Sequence, residues 1–249
     1  MNVIVCVKRV PDTEARIRVD GSGTAIDTAG IKYDISPYDA FAIEAALRTK
    51  ESVEEGEVTL LSFGDSSTQE TLRKGLAMGA DKAVLLTGES SLDGLATAKV
   101  LAAELAGSDA PLFLFGVKAA DNDQQQVGPM VATLTGRPCV TGVSTFEVTD
   151  GKAVCNREVE GGSEVIEVDL PAVLCITKGP NDPRLAALKG IMAAKRKPLE
   201  EKPAGDAAAR VRLTGLSEPP PRKAGRVVGE GAEAVPELVR LLREEANAL

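Results

Sequence analysis

Four short apolar runs, residues 3–7 (VIVCV), 58–63 (VTLLSF), 83–87 (AVLLT) and 112–115 (LFLF), alternate with four stretches of helical period, residues 38–50, 68–78, 92–106 and 126–134. Runs of four to six apolar residues with no polar alternation belong to strands covered on both faces. Strands that alternate with helices pair in parallel through right-handed crossovers. The expected fold class is therefore α/β, a doubly wound, mostly parallel sheet. Residues 16–35 interrupt the alternation; their RIRVDGSGTAI pattern predicts a hairpin or an extended excursion.

From residue 141 the pattern changes. The runs VSTFEV, KAVCNREV, SEVIEVDL and AVLCITK are separated by Asp150-Gly151, Gly161-Gly162 and Leu170-Pro171, which predicts antiparallel strands joined by tight turns. Residues 180–199 read as a loop leading into a helix. Residues 200–233 are rich in Pro, Gly and charge and have no apolar period, so they cannot fold alone. Val235, Leu238, Val239, Leu241 and Leu242 then mark one face of a terminal helix with Pro236 in its first turn. Two parts are expected: an α/β domain, residues 1–199, and an arm with a terminal helix, residues 200–249.

The chain has 249 residues and a net charge of -8, which argues against a nucleic-acid or anionic-membrane surface. It has no signal-peptide pattern and no apolar stretch approaching membrane-span length, so the expectation is a cytoplasmic protein without membrane insertion. There is no histidine, which excludes Ser/His/Asp and Cys/His nucleophiles and His-ligated metals. Cys6, Cys139, Cys155 and Cys175 are scattered among apolar residues with no CxxC pair, and read as buried reduced thiols. No catalytic residue and no metal site is expected.

In a parallel sheet, ligands gather at the carboxyl ends of the strands. Those ends are polar here. The first leads through Lys8 and Arg9 towards SPYD, with Ser36 placed as a cap, Pro37 at the first helical position and Asp39 three residues after the cap. The second leads into GDSSTQE, where Ser66 precedes Gln69 by three. The fourth leads into GVKAADNDQQQVGPM, residues 116–130, where Asp121, Asn122 and Asp123 each stand three residues before a Gln. Any of them predicts a capping box. Three are more than one helix start needs, and a helix N-terminus with uncharged amide donors suits a phosphate near residues 124–127. The plainer reading is a well-capped helix. No GxGxxG follows the first strand and there is no GxxxxGK[ST], so neither a Rossmann fingerprint nor a triphosphatase loop is present.

At these motifs the chain resembles the beta (small) subunit of electron transfer flavoprotein. The resemblance runs through VIVCVKRVPDT, ISPYDAFAIEAALRTKE, ETLRKGLAMGADKAVLL, GVKAADNDQQQVGPMVA, EVEGGSEVIEVDLPAVL and NDPRLAALKGIMAAKRKPL, in order along nearly the whole chain. It implies an adenine-nucleotide alpha-hydrolase-like sheet with an antiparallel addition and a C-terminal arm. It implies an electron carrier without bond chemistry, paired through its arm and terminal helix with an FAD-carrying alpha subunit. That pair receives electrons from acyl-CoA or other flavin dehydrogenases and passes them to a quinone reductase or another acceptor.

By matching motif positions, AMP contacts fall on Cys6, Ser36, Pro37, Tyr38, Asp39, Phe63 and the segment 116–127, including Gly116, Ala119, Asp121, Asn122, Asp123, Gln124, Gln125, Gln126 and Val127. Thr13 and Tyr38 match positions near the flavin's dimethylbenzene edge. Leu188, with Arg184, Lys189, Ile191 and Met192, matches a recognition loop, residues 180–199, that docks on partner dehydrogenases. Without the resemblance, Leu185, Leu188, Ile191 and Met192 are one helical face suited to core packing, and Lys189, Lys195, Arg196 and Lys197 a solvated basic flank.

A bifurcating branch of the family holds a second FAD in place of AMP. VPDT and KGIM occur here as in that branch, but it usually shows DGDTAQVGP where this chain has DNDQQQVGP, and the bulkier Asn122, Gln124 and Gln125 favour AMP. Two rivals of other classes are a stand-alone adenine-nucleotide sensor, which leaves residues 140–199 and the arm unexplained, and an enzyme using Asp121 or Asp123 as a base.

Overall fold

A computed structural model describes residues 1–53, 55–89, 93–221 and 224–249. The helix expected from residue 92 thus has its start outside the described residues. The chain divides into two compact units, Met1–Ile17 with Asp27–Thr214, and Arg18–Ile26 with Gly215–Leu249.

The larger unit is built on a nine-stranded sheet. Its strands are β1 (Val3–Cys6), β4 (Val58–Gly64), β5 (Lys82–Thr87), β6 (Leu112–Gly116), β7 (Cys139–Thr149), β8 (Lys152–Val159), β9 (Gly162–Asp169), β10 (Ala172–Ile176) and β11 (Leu199–Pro203), in the order β11-β5-β4-β1-β6-β10-β7-β8-β9. A separate ribbon pairs β2 (Arg9–Pro11) with β3 (Tyr33–Ile35), so the interruption after the first strand is partly a hairpin.

Alternate side chains of the central strands point to opposite faces, and each face carries its own helices. Val3, Val5, Leu60 and Leu114 pack with Ile43 and Leu47 of α1 (Pro37–Val53) and Leu72 and Leu76 of α2 (Thr68–Met78). Cys6, Leu61, Phe113 and Val173 pack with Leu101 and Leu105 of α3 (Gly94–Leu105) and Val131 of α4 (Val127–Thr135). This is the doubly wound sheet expected from the apolar runs.

Two expectations are corrected. β10 is not part of an antiparallel meander; it inserts between β6 and β7 and is parallel to both. Ala172 to Ile176 are all buried, as an interior parallel strand requires. β7 is parallel to β10 as far as Val143 and thereafter pairs antiparallel with β8, which pairs with β9. The second correction concerns the boundary at 199/200, which falls inside the main sheet. β11 is its edge strand beside β5, and the chain beyond it stays tied down. Ala204 N–H donates to Thr87 O (2.8 Å), and the Asp93 carboxylate accepts the N–H groups of Arg210 and Val211. A strand reading LEEKP has no apolar period, because it borders solvent along most of its length.

In the smaller unit Val19 bridges to Ile26, Leu216 N–H donates to Gly23 O (2.7 Å), and Arg226 pairs with Glu245 (2.7 Å). Its helix α6 (Val235–Glu244) has the expected apolar stripe, and none of its residues is buried.

Candidate nucleotide site at the switch point

After β1 the chain winds one way along the sheet, through β4 and β5; after β6 it winds the other way, through β10. The crevice at the carboxyl ends of β1 and β6 is therefore the switch point, where doubly wound sheets hold ligands. Asp39 sits there, in the first turn of α1 and only 6% exposed. Its Oδ2 accepts the N–H of Lys8 (2.7 Å), just beyond β1, and its Oδ1 accepts the N–H of Gly116 (3.0 Å), the last residue of β6. Burial pushes its carboxyl up to about 7, against the pull of those two N–H donors and of the Lys8 charge. A Cβ on residue 116 would lie 2.4 Å from Asp39 Oδ1 and 2.8 Å from the Tyr38 carbonyl carbon, so the close approach needs glycine.

Ser36, fully buried, donates its N–H to Lys8 O (3.0 Å), and its Oγ accepts the N–H of Ala120 (3.4 Å). Lys8 Nζ reaches Asp121 at 2.6 Å, and Lys118 Nζ binds Asp123 at 2.9 Å while lying 5.7 Å from the Tyr38 ring centre. Asp123 and Gln125 have φ of 51° and 53°, a left-handed backbone uncommon for residues other than glycine. Gln126 donates from Nε2 to Gln124 Oε1 and lies against Gly94 at the start of α3, where a Cβ would be 2.3 Å from Nε2. Val127 and Gly128 open α4, so their N–H groups have no acceptor one turn back. Cys6 is buried beside the crevice, and burial, then the Asp39 charge, pushes its thiol up.

The expected site residues from Cys6 to Val127 thus converge on one edge, but the capping boxes are not formed. α4 starts at Val127 with Gln126 as its cap residue and no side-chain cap bond. Asp121 and Asp123 turn to lysines instead. Asp39 binds two strand ends, and Gln69 donates to Glu201 (2.7 Å). Sequence spacing located these polar groups but not their partners, which, apart from Lys118 for Asp123, come from distant parts of the chain. It also missed Ser62, whose buried Oγ donates to Val7 O (2.6 Å), and Asp93, which caps α3 through the N–H of Ala96 (2.8 Å). Phe63, half-buried at the end of β4, stands against Gly88. Thr13 borders a small depression with Asp34 and Pro37; Tyr38 does not line it.

The second predicted cluster lies on α5 (Leu188–Ala194) and the loop before it. Leu185, Leu188 and Met192 are 94%, 75% and 65% exposed, which corrects the core-packing reading of this stripe. The helix packs through Gly190, where a Cβ would lie 2.5 Å from Ala77 O, and through buried Ala194. Arg184 is bound by Glu44 (2.7 Å) and Glu51 (2.6 Å) and braces the loop. Lys197 is not in a solvated flank: it donates to Leu76 O and Ala80 O (3.0 and 2.6 Å) and closes the end of α2. Its partial burial lowers its pKa.

Among the described residues no group of three or more His, Cys, Asp or Glu side chains is placed to hold a metal ion, and no helix is long and apolar enough to cross a membrane.

A doubly wound sheet with a glycine-tight, polar crevice at its switch point places this chain among the doubly wound α/β proteins. The family model described as electron transfer flavoprotein domain matches residues 23–207. The chain is 38% identical over 253 residues to the electron transfer flavoprotein subunit beta of Bradyrhizobium diazoefficiens, covering all of both chains. It is 37% identical to the mitochondrial subunit beta of Arabidopsis thaliana, again over the full length of both, and 36% identical to the electron transfer flavoprotein subunit beta of Mus musculus, over 98% of this chain and 97% of the relative. The chain belongs to the beta subunits of electron transfer flavoprotein.

Proposed function

We propose that this subunit pairs with an FAD-carrying alpha subunit and shuttles electrons from an acyl-CoA or related flavin dehydrogenase to a quinone reductase or another acceptor, in the cytoplasm. The flavin supplies the redox chemistry when bound; this chain supplies shape, docking and an adenylate site. The observation that carries the reading is the convergence of Ser36, Asp39, Gly116 and the 120–127 loop on the switch point.

The residues fit an adenylate. Buried Ser36 and Asp39 tie the strand ends to the loop, and the α4 N-terminus offers N–H donors beside uncharged Gln124, Gln125 and Gln126, which suits a phosphate. The bulkier Asn122, Gln124 and Gln125 beside that N-terminus favour AMP over a second isoalloxazine there. Thr13 and Tyr38 lie where a flavin edge held by the alpha subunit would approach. The arm beyond residue 214, with α6, is the grip on that subunit. Leu188, exposed and flanked by Leu185, Ile191, Met192 and Lys189, is the apolar anchor for the dehydrogenase on a loop braced by Arg184.

Production of the chain alone and with the alpha subunit tests the pairing. Yellow protein only on co-production is expected; a yellow chain on its own would instead favour a second FAD held here.

A further inference from the structure

Two carboxyl side chains of α1 are buried, and their surroundings are opposite in kind. Glu44 is gripped by two guanidinium groups, Arg48 at 2.8 Å and Arg184 at 2.7 Å. Among the described residues no side-chain cation is bonded to Asp39: its oxygens accept the backbone N–H groups of Lys8 (2.7 Å) and Gly116 (3.0 Å).

The other groups that face Asp39 do not compensate a charge on it. Lys8, just beyond β1, turns its Nζ to Asp121, which holds it through both oxygens at 2.8 and 2.6 Å. The Lys8 side chain is also 42% exposed, so water screens what remains of its pull. Asp121, on the loop after β6, is itself acidic and opposes ionisation of Asp39. Cys6 in β1 and Cys175 in β10 are neutral thiols: burial pushes the first up, and contact with Cys139 together with burial pushes up the second. A buried carboxyl without a cation keeps its proton. The position of its titration, pushed up to about 7 chiefly by burial, agrees with that geometry.

A neutral acid at the switch point changes what the crevice can hold. It can donate to a ribose or phosphate oxygen, which a carboxylate cannot do. It also adds no negative charge where an adenylate must sit, and above pH 7 a phosphate monoester carries close to two charges. Gly116, which Asp39 binds, begins the loop that ends at the α4 N-terminus, so the carboxyl and the expected phosphate position border the same crevice. Like charges in a partly buried crevice repel far more than in water.

We infer that Asp39 is the proton-carrying residue of the adenylate site: AMP is held with Asp39 neutral, and binding above neutral pH takes up one proton from solvent. That proton joins the Asp39 carboxylate, and no bond of the nucleotide forms or breaks. The inference rests on the adenylate site proposed above and adds its coupling to pH. Well below pH 7 the empty site already holds the proton and takes up none. Above pH 7 the proton must arrive with the nucleotide, so affinity falls as pH rises.

The test uses the co-purified complex with the alpha subunit, stripped of adenylate in mild denaturant and returned to native buffer. It is titrated with AMP between pH 7 and 9, above the range in which the phosphate itself titrates. Over that range the parent is expected to lose at least about tenfold more affinity than Asp39→Asn, whose amide stays neutral. Calorimetry of the parent in two buffers of different ionisation enthalpy reads the same event without the variant, and an uptake of about one proton per AMP is expected at pH 8. Equal pH slopes for parent and variant, or no proton uptake by the parent at pH 8, would overturn the inference and leave the adenylate site standing. A complex that binds no AMP at any pH would overturn both.

Discussion

Arg184 and Glu44 stand 140 residues apart in the sequence, yet the guanidinium Nε lies 2.7 Å from a carboxylate that is almost wholly buried. The pair fixes the start of the exposed loop to α1. Burial alone would raise the Glu44 carboxyl, but the bonds from Arg184 and Arg48 hold it below its usual value. Arg184→Ala leaves a buried charge with one partner, and a loss of about 2–4 kcal/mol is expected in denaturant unfolding. The contribution is present above the ordinary glutamate range and fades as pH falls through the lowered folded value. A variant as stable as the parent at pH 7 would contradict it.

Asp39 has the opposite sign. Its folded pKa of about 7 stands above the ordinary 3.8, so between those values the folded chain holds a proton that the unfolded chain has released. Stability from this group is therefore greatest below pH 4 and declines as pH rises towards 7, by on the order of a few kcal/mol. Asp39→Asn keeps one acceptor for the strand ends and removes the titration. Its unfolding free energy is expected to vary less between pH 5 and 8 than the parent's, and an identical pH profile would refute the assignment.

Gly116→Ala places a methyl group against Asp39 and the backbone at Tyr38. Overpacking of this kind costs about 1–3 kcal/mol. Both stability and bound adenine nucleotide are expected to fall, measured by chemical unfolding and by extraction of the denatured complex. Full retention of both would show that the crevice is not set by this contact.

Leu188 is 75% exposed, so Leu188→Ala should leave unfolding within about 0.5 kcal/mol of the parent. Loss of an apolar anchor costs more than about 1 kcal/mol of docking energy, roughly fivefold to tenfold in the rate of reduction by the dehydrogenase at low concentration. Cofactor content should not change. Unaltered transfer would retire the anchor.

The central sheet was legible because Val3, Leu60, Leu85 and Leu114 and their neighbours sit in unbroken apolar runs, and the alternation with helices left few topologies. The site's edge followed from the same reasoning. The place of β10 was not legible, since AVLCI reads alike as an interior parallel strand or a hairpin arm, and only the tertiary partners decide. β11 was missed because LEEKP has an edge strand's polarity and follows a basic run. The capping boxes failed because Asp39, Asp121 and Gln69 found partners distant in sequence, which local spacing cannot report, and Asp123 turned back to Lys118. Lys197 was misplaced for the same reason. The exposure of Leu188 came from the family resemblance; its helical period alone pointed inward.

The most direct measurement is to denature the purified complex of this chain with the alpha subunit and count its released cofactors. One FAD and one AMP per complex is the predicted result. A complex that releases no adenylate, or that releases two FAD and no AMP, would contradict the assignment of the switch-point crevice.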